Sequence, residues 1–183
     1  MTKPSITTRN GDHGYTSLFS GEQIEKSDPR ADAYGDLDEL VSILGVAYAH
    51  ASDSDLRTRI EQIQQELFVV GAELATSLSH VDKLEHRISE KQVVALDEQC
   101  RKTEAGIQMP NGFILPGGSV VGAFLDHART VARRVERKVV ALHRNGFVKN
   151  ELLLVWVNRL SDYLWLLARE DEGDALRKKD LSS

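Results

Sequence analysis

The stretch Ser119-Val120-Val121-Gly122-Ala123-Phe124-Leu125-Asp126-His127-Ala128-Arg129-Thr130-Val131-Ala132-Arg133-Arg134-Val135-Glu136-Arg137-Lys138-Val139-Val140-Ala141-Leu142 decides the fold. Leu125, Ala128, Ala132, Val135, Val139 and Leu142 step by three and four, so they line one face of a long helix. Ser119 stands where a cap belongs, and Asn145-Gly146 marks the stop. The other face carries Arg129, Arg133, Arg134, Arg137 and Lys138. At about 100° per residue, Arg129, Arg133 and Arg137 share a ridge, with Glu136 beside Arg129 and Asp126 beside Arg133. An arginine at the rim of a buried face is ordinarily paired or holds an anion. A solvated face laced with intrahelical ion pairs fits the same run, and both readings stand at this level.

The same period extends outward in both directions. Downstream, Leu153, Trp156, Val157, Leu160, Leu164 and Leu167 form a stripe over 150–169. Upstream, Ser89-Glu90-Lys91-Gln92 has the form of a capping box opening a shorter helix through Val93, Leu96 and Cys100, ended by Gly106. Leu56, Ile60, Ile63, Leu67, Val70 and Leu74 predict another helix after Ser52 or Ser54 as cap. Leu37, Leu40, Val41, Leu44, Ala47 and Tyr48 predict the first, over 30–50. With no convincing strand and no βαβ alternation, the chain reads as all-α, a five-helix bundle in which the first and last helix pairs, joined by short connections, run antiparallel. The Gly/Pro-rich segment 106–118 reads as a packed loop. Residues 1–29 form a glycine-bearing segment belonging to the same domain as the bundle at 30–169, and the charged tail at 170–183 is expected to fray.

Composition narrows the function classes. A chain of 183 residues is one domain by length. Lys and Arg total 23 against 28 Asp and Glu, a formal charge of −5. That balance excludes a generally basic surface for nucleic acid, so any anion must be met by a local cluster. The lone Cys100 excludes an internal disulfide framework and has no CxxC partner. No apolar run is long enough for a membrane span and no leader pattern opens the chain, which reads as soluble and cytoplasmic. None of the six histidines has Glu three residues before it, and no HxxxH or HExxH occurs, so no protein-ligated metal centre is expected.

Two further segments could carry chemistry. In Arg9-Asn10-Gly11-Asp12-His13-Gly14-Tyr15-Thr16-Ser17, closely spaced glycines let backbone N–H groups approach phosphate oxygens. Hydroxyls add donors there, Arg9 and Lys26 supply positive charge, and Asp12 could reach a Mg²⁺ ion on the phosphates. It is not a Walker A loop, and a plain turn fits as well. On the last helix Asn158, Asp162, Trp165 and Arg169 form a polar patch. Ligand binding and helix–helix hydrogen bonding account for it equally.

Taken in order, several blocks resemble the PduO-like ATP:cob(I)alamin (corrinoid) adenosyltransferases. They are the run from Thr8 to Phe19, Ala33-Tyr34-Gly35-Asp36-Leu37-Asp38-Glu39-Leu40, Phe113-Ile114-Leu115-Pro116-Gly117-Gly118, the RTxxRRxER block at 129–137, and Val157-Asn158-Arg159-Leu160-Ser161-Asp162-Tyr163-Leu164. The resemblance implies a homotrimer of five-helix bundles with an active site at each subunit interface, and it implies transfer of the 5′-deoxyadenosyl group of ATP to reduced cobalamin with release of triphosphate. It assigns ATP and its Mg²⁺ to Thr8, Arg9, Gly11, Asp12, Gly14, Thr16, Ser17 and Lys26, together with Arg133, Arg134, Glu136, Arg137 and Asn158. Arg129, Arg133, Asp38 and Phe113 carry catalysis, with Asp38 pairing with Arg129 across the interface. Phe113, Asp162 and Arg129 meet the corrinoid, Phe113 on its lower face. A flavin reductase and a cobalamin-dependent mutase are the further partners implied.

Three positions depart from the family pattern. Arg9 replaces lysine, Gln23 replaces a basic residue, and Asp126 stands where histidine is usual, an acid beside the arginine ridge. A non-catalytic ATP- or corrinoid-binding bundle of chaperone-like type is the alternative reading.

Overall fold

The computed structural model describes Thr7 and residues 9–178. Two short strands, β1 (Tyr15–Ser17) and β2 (Gln23–Glu25), precede α1 (Pro29–His50), α2 (Ser54–Leu74) and α3 (Glu90–Gly106). Strand β3 (Ile114–Leu115) leads into α4 (Val120–Arg144) and α5 (Glu151–Glu172), and β4 (Arg177–Lys178) closes the described chain.

Each helix begins where its sequence supplies an acceptor for the orphan N–H groups of a first turn. Asp28 accepts from the Arg30 N–H at 2.8 Å, ahead of Pro29, whose missing N–H is no loss in a first turn. Asp53, rather than Ser52 or Ser54, caps α2 by accepting from the Asp55 N–H at 2.9 Å. Gln92 accepts from the Ser89 N–H at 3.1 Å, so the expected capping box is present. Ser119 caps α4 through the Gly122 N–H at 2.8 Å, and Asn150 caps α5 through the Leu152 N–H at 3.1 Å.

The bundle alternates in direction. Val41 faces Gln64 and Tyr48 faces Arg57 across α1 and α2. Asp36 meets Arg134 and His50 stacks on Phe124 across α1 and α4. Glu136 meets Asn158 and Asp126 meets Arg169 across α4 and α5. In each pair one number rises as the other falls, the signature of antiparallel neighbours. The expected stripes fill the centre: Leu40, Leu44, Ile60, Leu67, Leu74, Leu125, Leu142, Leu153, Trp156, Leu160, Leu164 and Leu167 are fully buried. Such close-packed apolar burial makes the helices a rigid frame for the loops at their ends.

Three expectations are corrected. The described chain does contain strands: β1 pairs antiparallel with β2, and β3 with β4. The tail does not fray through its described part. Instead α5 continues to Glu172, which is buried, and residues 177–178 zip onto Ile114–Leu115. The approach is so close that a Cβ on Gly118 would meet the Ala175 carbonyl at 2.6 Å, and one on Gly122 would meet Glu172 Cγ at 2.7 Å. Glycine at 118 and 122 is therefore what lets the tail seat. Nor is the 106–118 loop packed throughout, because Met109, Phe113 and Leu115 all face solvent.

Candidate active site

The amino-terminal ribbon is anchored at its tip. Leu18 and Ile24 are buried, the Phe19 N–H donates to the Ala75 carbonyl at 2.7 Å, and the Ser77 N–H donates to Ser20 Oγ at 3.2 Å. This leaves the loop at 9–14 projecting from a fixed base. The loop is closed by the Lys26 N–H donating to the Gly14 carbonyl at 2.8 Å, with Gly14 at φ 82° and Arg9 at φ 61°. The Lys26 side chain lies across Gly11, where an added Cβ would meet Nζ at 2.9 Å. Arg9, Asp12, Gly14, Ser17 and Lys26 are exposed, with Thr16 half-buried. The structure thus gathers Gly11, Gly14 and the Lys26 ammonium into one cationic turn. Thr8 lies outside the described residues.

The arginines of α4 divide by direction. Arg133 is exposed and has no ion pair among the described residues, while its backbone carbonyl accepts from Arg137 at 2.9 Å. Arg134 points to α1, where it meets Asp36 at 2.9 Å and also Glu39. Lys138 bridges Asp32 and Asp36, each at 2.7 Å. Burial pushes the Asp36 carboxyl up, but hydrogen bonds from Lys138 and Arg134 outweigh it and hold the group below its ordinary value.

The expected side-by-side pairs along the ridge are not the ones formed. Asp126 accepts from Arg129 Nε at 3.0 Å instead of lying beside Arg133, and Glu136 accepts from Asn158 Nδ2 at 2.9 Å instead of lying beside Arg129. The reason is reach: a carboxylate three residues from an arginine on a helix meets its Nε, whereas one seven away lies two turns off. Asn158 is consequently a helix–helix contact that still presents an exposed face next to the ridge.

Asp38 is exposed on the opposite rim of α1 from Asp36. It borders an apolar groove with Phe19, Tyr34, Leu37, Val41 and Phe68, on the α2 side of the helix. Because Asp36 already faces α4, Asp38 points away from it, and one chain does not bring Asp38 to Arg129.

Phe113 is 73 % exposed on the loop between α3 and α4. The loop itself is held. β3 pairs with β4, Arg177 Nη1 donates to the Pro116 carbonyl at 3.1 Å, and the Gly118 N–H donates to Glu172 Oε1 at 2.9 Å. A large apolar side chain exposed on a pinned loop is an unsatisfied contact surface. Between α3 and α5 a cleft is lined by Asp97, Cys100, Met109, Arg159, Asp162 and Trp165. Arg159 is tied to Asp97 and lies 3.5 Å from Asp162. Burial pushes the Cys100 thiol up to about 11, so it stays protonated and unreactive near neutrality.

The family model for cobalamin adenosyltransferases matches residues 6–170. A corrinoid adenosyltransferase of Citrobacter freundii is 41 % identical over 167 residues, covering 91 % of this chain and 94 % of that protein. The chain belongs to the cobalamin adenosyltransferase family.

Another member, the corrinoid adenosyltransferase PduO of Salmonella typhimurium, is 41 % identical over 171 residues, 93 % of this chain but 51 % of that protein. The chain spans about half of that longer relative. A variant PduO-type ATP:corrinoid adenosyltransferase from Lactobacillus reuteri, solved with cobalamin and ATP, superposes with a TM-score of 0.83 at 34 % identity, over 92 % of this chain and 93 % of that one. The bundle architecture expected from the family is therefore the one observed.

Sequence reasoning overlooked Arg169 and Glu172 as a buried pair behind the family's arginine helix, each 3 % exposed. The available signal was the spacing Arg169–Glu172, an i,i+3 pair closing a helix whose preceding turns are almost wholly apolar.

Proposed function

We propose that this member of the family transfers the 5′-deoxyadenosyl group of ATP to the cobalt of a reduced corrinoid. The bond from cobalt to C5′ forms with the metal's electron pair, the C5′–oxygen bond breaks, and inorganic triphosphate leaves. The observation that carries this reading is a shared exposure: Arg133 and Phe113, the side chains such a transfer needs free, are open to solvent on elements otherwise held by packing and hydrogen bonds.

Cobalt(I) is itself the nucleophile, so the chain's task is aiming and charge stabilisation rather than proton removal. The turn of Gly11, Asp12 and Gly14, whose Asp12 and Gly14 N–H groups donate within it to the Arg9 and Gly11 carbonyls at 3.3 and 3.2 Å, lets the phosphates approach closely, with Arg9, Thr16, Ser17 and Lys26 around it. Arg133, flanked by Arg134, Arg137 and Glu136, stabilises the departing triphosphate, and Asn158 contacts the nucleotide from α5. Magnesium suits this arrangement as an ion carried by ATP: no group of three or more acidic, histidine or cysteine side chains among the described residues could hold it, while Asp12 is exposed beside the phosphate turn. Such an ion supplies further neutralisation of the triphosphate. Phe113 packs under the corrin, displacing the lower axial donor and so favouring the reduced metal, while Asp162 meets the corrinoid's polar edge.

Two copies complete a site. The rim carrying Asp38, with Phe19 and Phe68 exposed in its groove, receives the α4 ridge of a neighbour, and Asp38 pairs there with Arg129, in a homotrimer. No helix among the described residues is long and apolar enough to cross a membrane, which fits a cytoplasmic enzyme served by a separate flavin reductase and delivering to a cobalamin-dependent mutase. The decisive test is anaerobic addition of ATP and chemically reduced cobalamin. The alkylcobalamin spectrum and stoichiometric triphosphate are expected, and release of ADP or an unchanged spectrum sinks the proposal.

A further inference from the structure

Behind the arginine ridge lies a charge cluster shut away from water. Asp126 and Arg169 are each 3 % exposed, as is Glu172. Asp126 Oδ2 accepts from Arg169 Nη2 at 2.5 Å, and its Oδ1 accepts from Arg129 Nε at 3.0 Å. Glu172 Oε2 lies 3.0 Å from the same Arg169 nitrogen, while its Oε1 accepts from the Gly118 N–H at 2.9 Å. The Arg169 guanidinium also sits over the Trp165 ring, 5.3 Å from its centroid. With Arg129 included, the cluster balances two carboxylates against two guanidiniums, the condition under which buried charge is tolerated.

Its connections reach both halves of the site. Asp126 takes Arg129 by Nε, and the Arg129 side chain, 27 % exposed, shows no hydrogen bond from its terminal nitrogens among the described residues. Gly118 closes the loop that bears Phe113. Among the described residues, Arg169 thus touches both the holder of Arg129 and the holder of the Phe113 loop. Both contacts run through the one nitrogen Nη2, so its position sets the separation of the two carboxylates.

Resting on the function proposed above, we infer that Asp126 is the positioning residue for Arg129, and that buried Arg169 holds Asp126 and Glu172 so that one cluster places both Arg129 and the base of the Phe113 loop. Asp126 accordingly acts through Arg129 and touches neither substrate.

The test is a double-mutant cycle on the full chain with ATP and chemically reduced cobalamin, using Asp126→Asn, Arg129→Ala and the pair, followed over long single turnovers. Asp126→Asn should lower kcat about tenfold with KM for the corrinoid nearly unchanged, and should cost almost nothing further once Arg129 is gone. Equal losses in both backgrounds, or no loss in either, overturn the inference. Should Asp126→Asn fail to fold, Arg169→Lys keeps the buried charge and takes its place in the same cycle. A severalfold loss that shrinks markedly once Arg129 is replaced by alanine supports the inference, the remainder being the share of the Phe113 loop, and a loss of the same size in both backgrounds overturns it. If the unaltered chain forms no alkylcobalamin, the proposed reaction itself fails, an outcome separate from any result of the cycle.

Discussion

Arg133 and Arg134 are neighbours in sequence and occupy opposite worlds. Arg134 is spent on α1, where Asp36 and Glu39 hold it, and with Lys138 it welds α1 to α4. Arg133 stands exposed on the other side of the same helix turn, free of any ion pair among the described residues. A motif that reads as one basic block therefore divides into a seam and an exposed ridge. What separates them is whether the protein has already supplied a carboxylate. A cation that must meet triphosphate gains from having no internal partner to break, whereas a cation in a seam gains from having two.

The largest expected effect exploits that division. Arg133→Ala should lower kcat/KM by about two to three orders of magnitude, as removal of a donor to developing charge does elsewhere. Its melting temperature should hardly move, since exposed substitutions typically stay within about 0.5 kcal/mol. Steady-state assays beside thermal melts check both halves, and wild-type activity in this variant ends the catalytic assignment. Phe113→Ala comes next. Corrinoid binding should survive, while conversion of the cobalt(II) form under reducing conditions falls by roughly tenfold or more, because the lower axial face is reopened. The absorbance spectrum of the bound corrinoid is the control, and a spectrum still lacking the lower ligand counts against this role.

Arg134→Ala should invert the pattern seen for Arg133. The seam loses one of its two cations, leaving Lys138 to face Asp36, and the expected destabilisation is about 0.5–1 kcal/mol because the pair is partly solvated. Activity should fall by less than in Arg133→Ala. A variant that melts like the wild type yet loses as much activity as Arg133→Ala would erase the contrast between seam and ridge.

The helices were legible because their information is local and periodic: Leu125 through Leu142 step along one face, and Ser119 and Asn145-Gly146 mark its ends. The ribbons were not, since two- and three-residue strands are too short for alternation to register, and Ile114 finds its partner in Lys178 at the far end of the chain. The tail misled for a related reason. Glu170, Glu172, Arg177 and Lys178 look solvated by composition, yet Glu172 is buried because Arg169, itself hidden, neutralises it. The i,i+3 spacing of Arg169 and Glu172 is a local mark, but their burial also depends on Asp126 and Gly118, which are distant in sequence and leave none. Within the candidate site, the residue types at 129–137 were readable, but the sorting into Arg133 outward and Arg134 inward depends on the facing carboxylates of α1.

The smallest predicted effects concern two carboxyl groups displaced in opposite directions from their ordinary pKa values. Asp36, in the seam, is held below its ordinary value of 3.8 by Lys138 and Arg134 despite the opposing push of burial. Its contribution to stability is therefore complete above about pH 4 and lost as pH falls through the lowered folded value. Glu73 lies under the loop joining α2 to α3, accepting from the Ile88 N–H at 2.5 Å and from Asn150 Nδ2 at 2.9 Å. Burial dominates there and raises its carboxyl above the ordinary 4.5, against those two hydrogen bonds. The unfolded chain then releases its proton first, so this group costs stability as pH rises from 4.5 through the raised folded value. Stability differences between wild type and Asp36→Asn should accordingly grow with pH in the acid range, while those between wild type and Glu73→Gln should shrink with pH just above 4.5. Denaturant melts at several pH values measure both slopes. Parallel slopes would mean that burial, and not the cations of α4, sets the behaviour of Asp36 as it does that of Glu73.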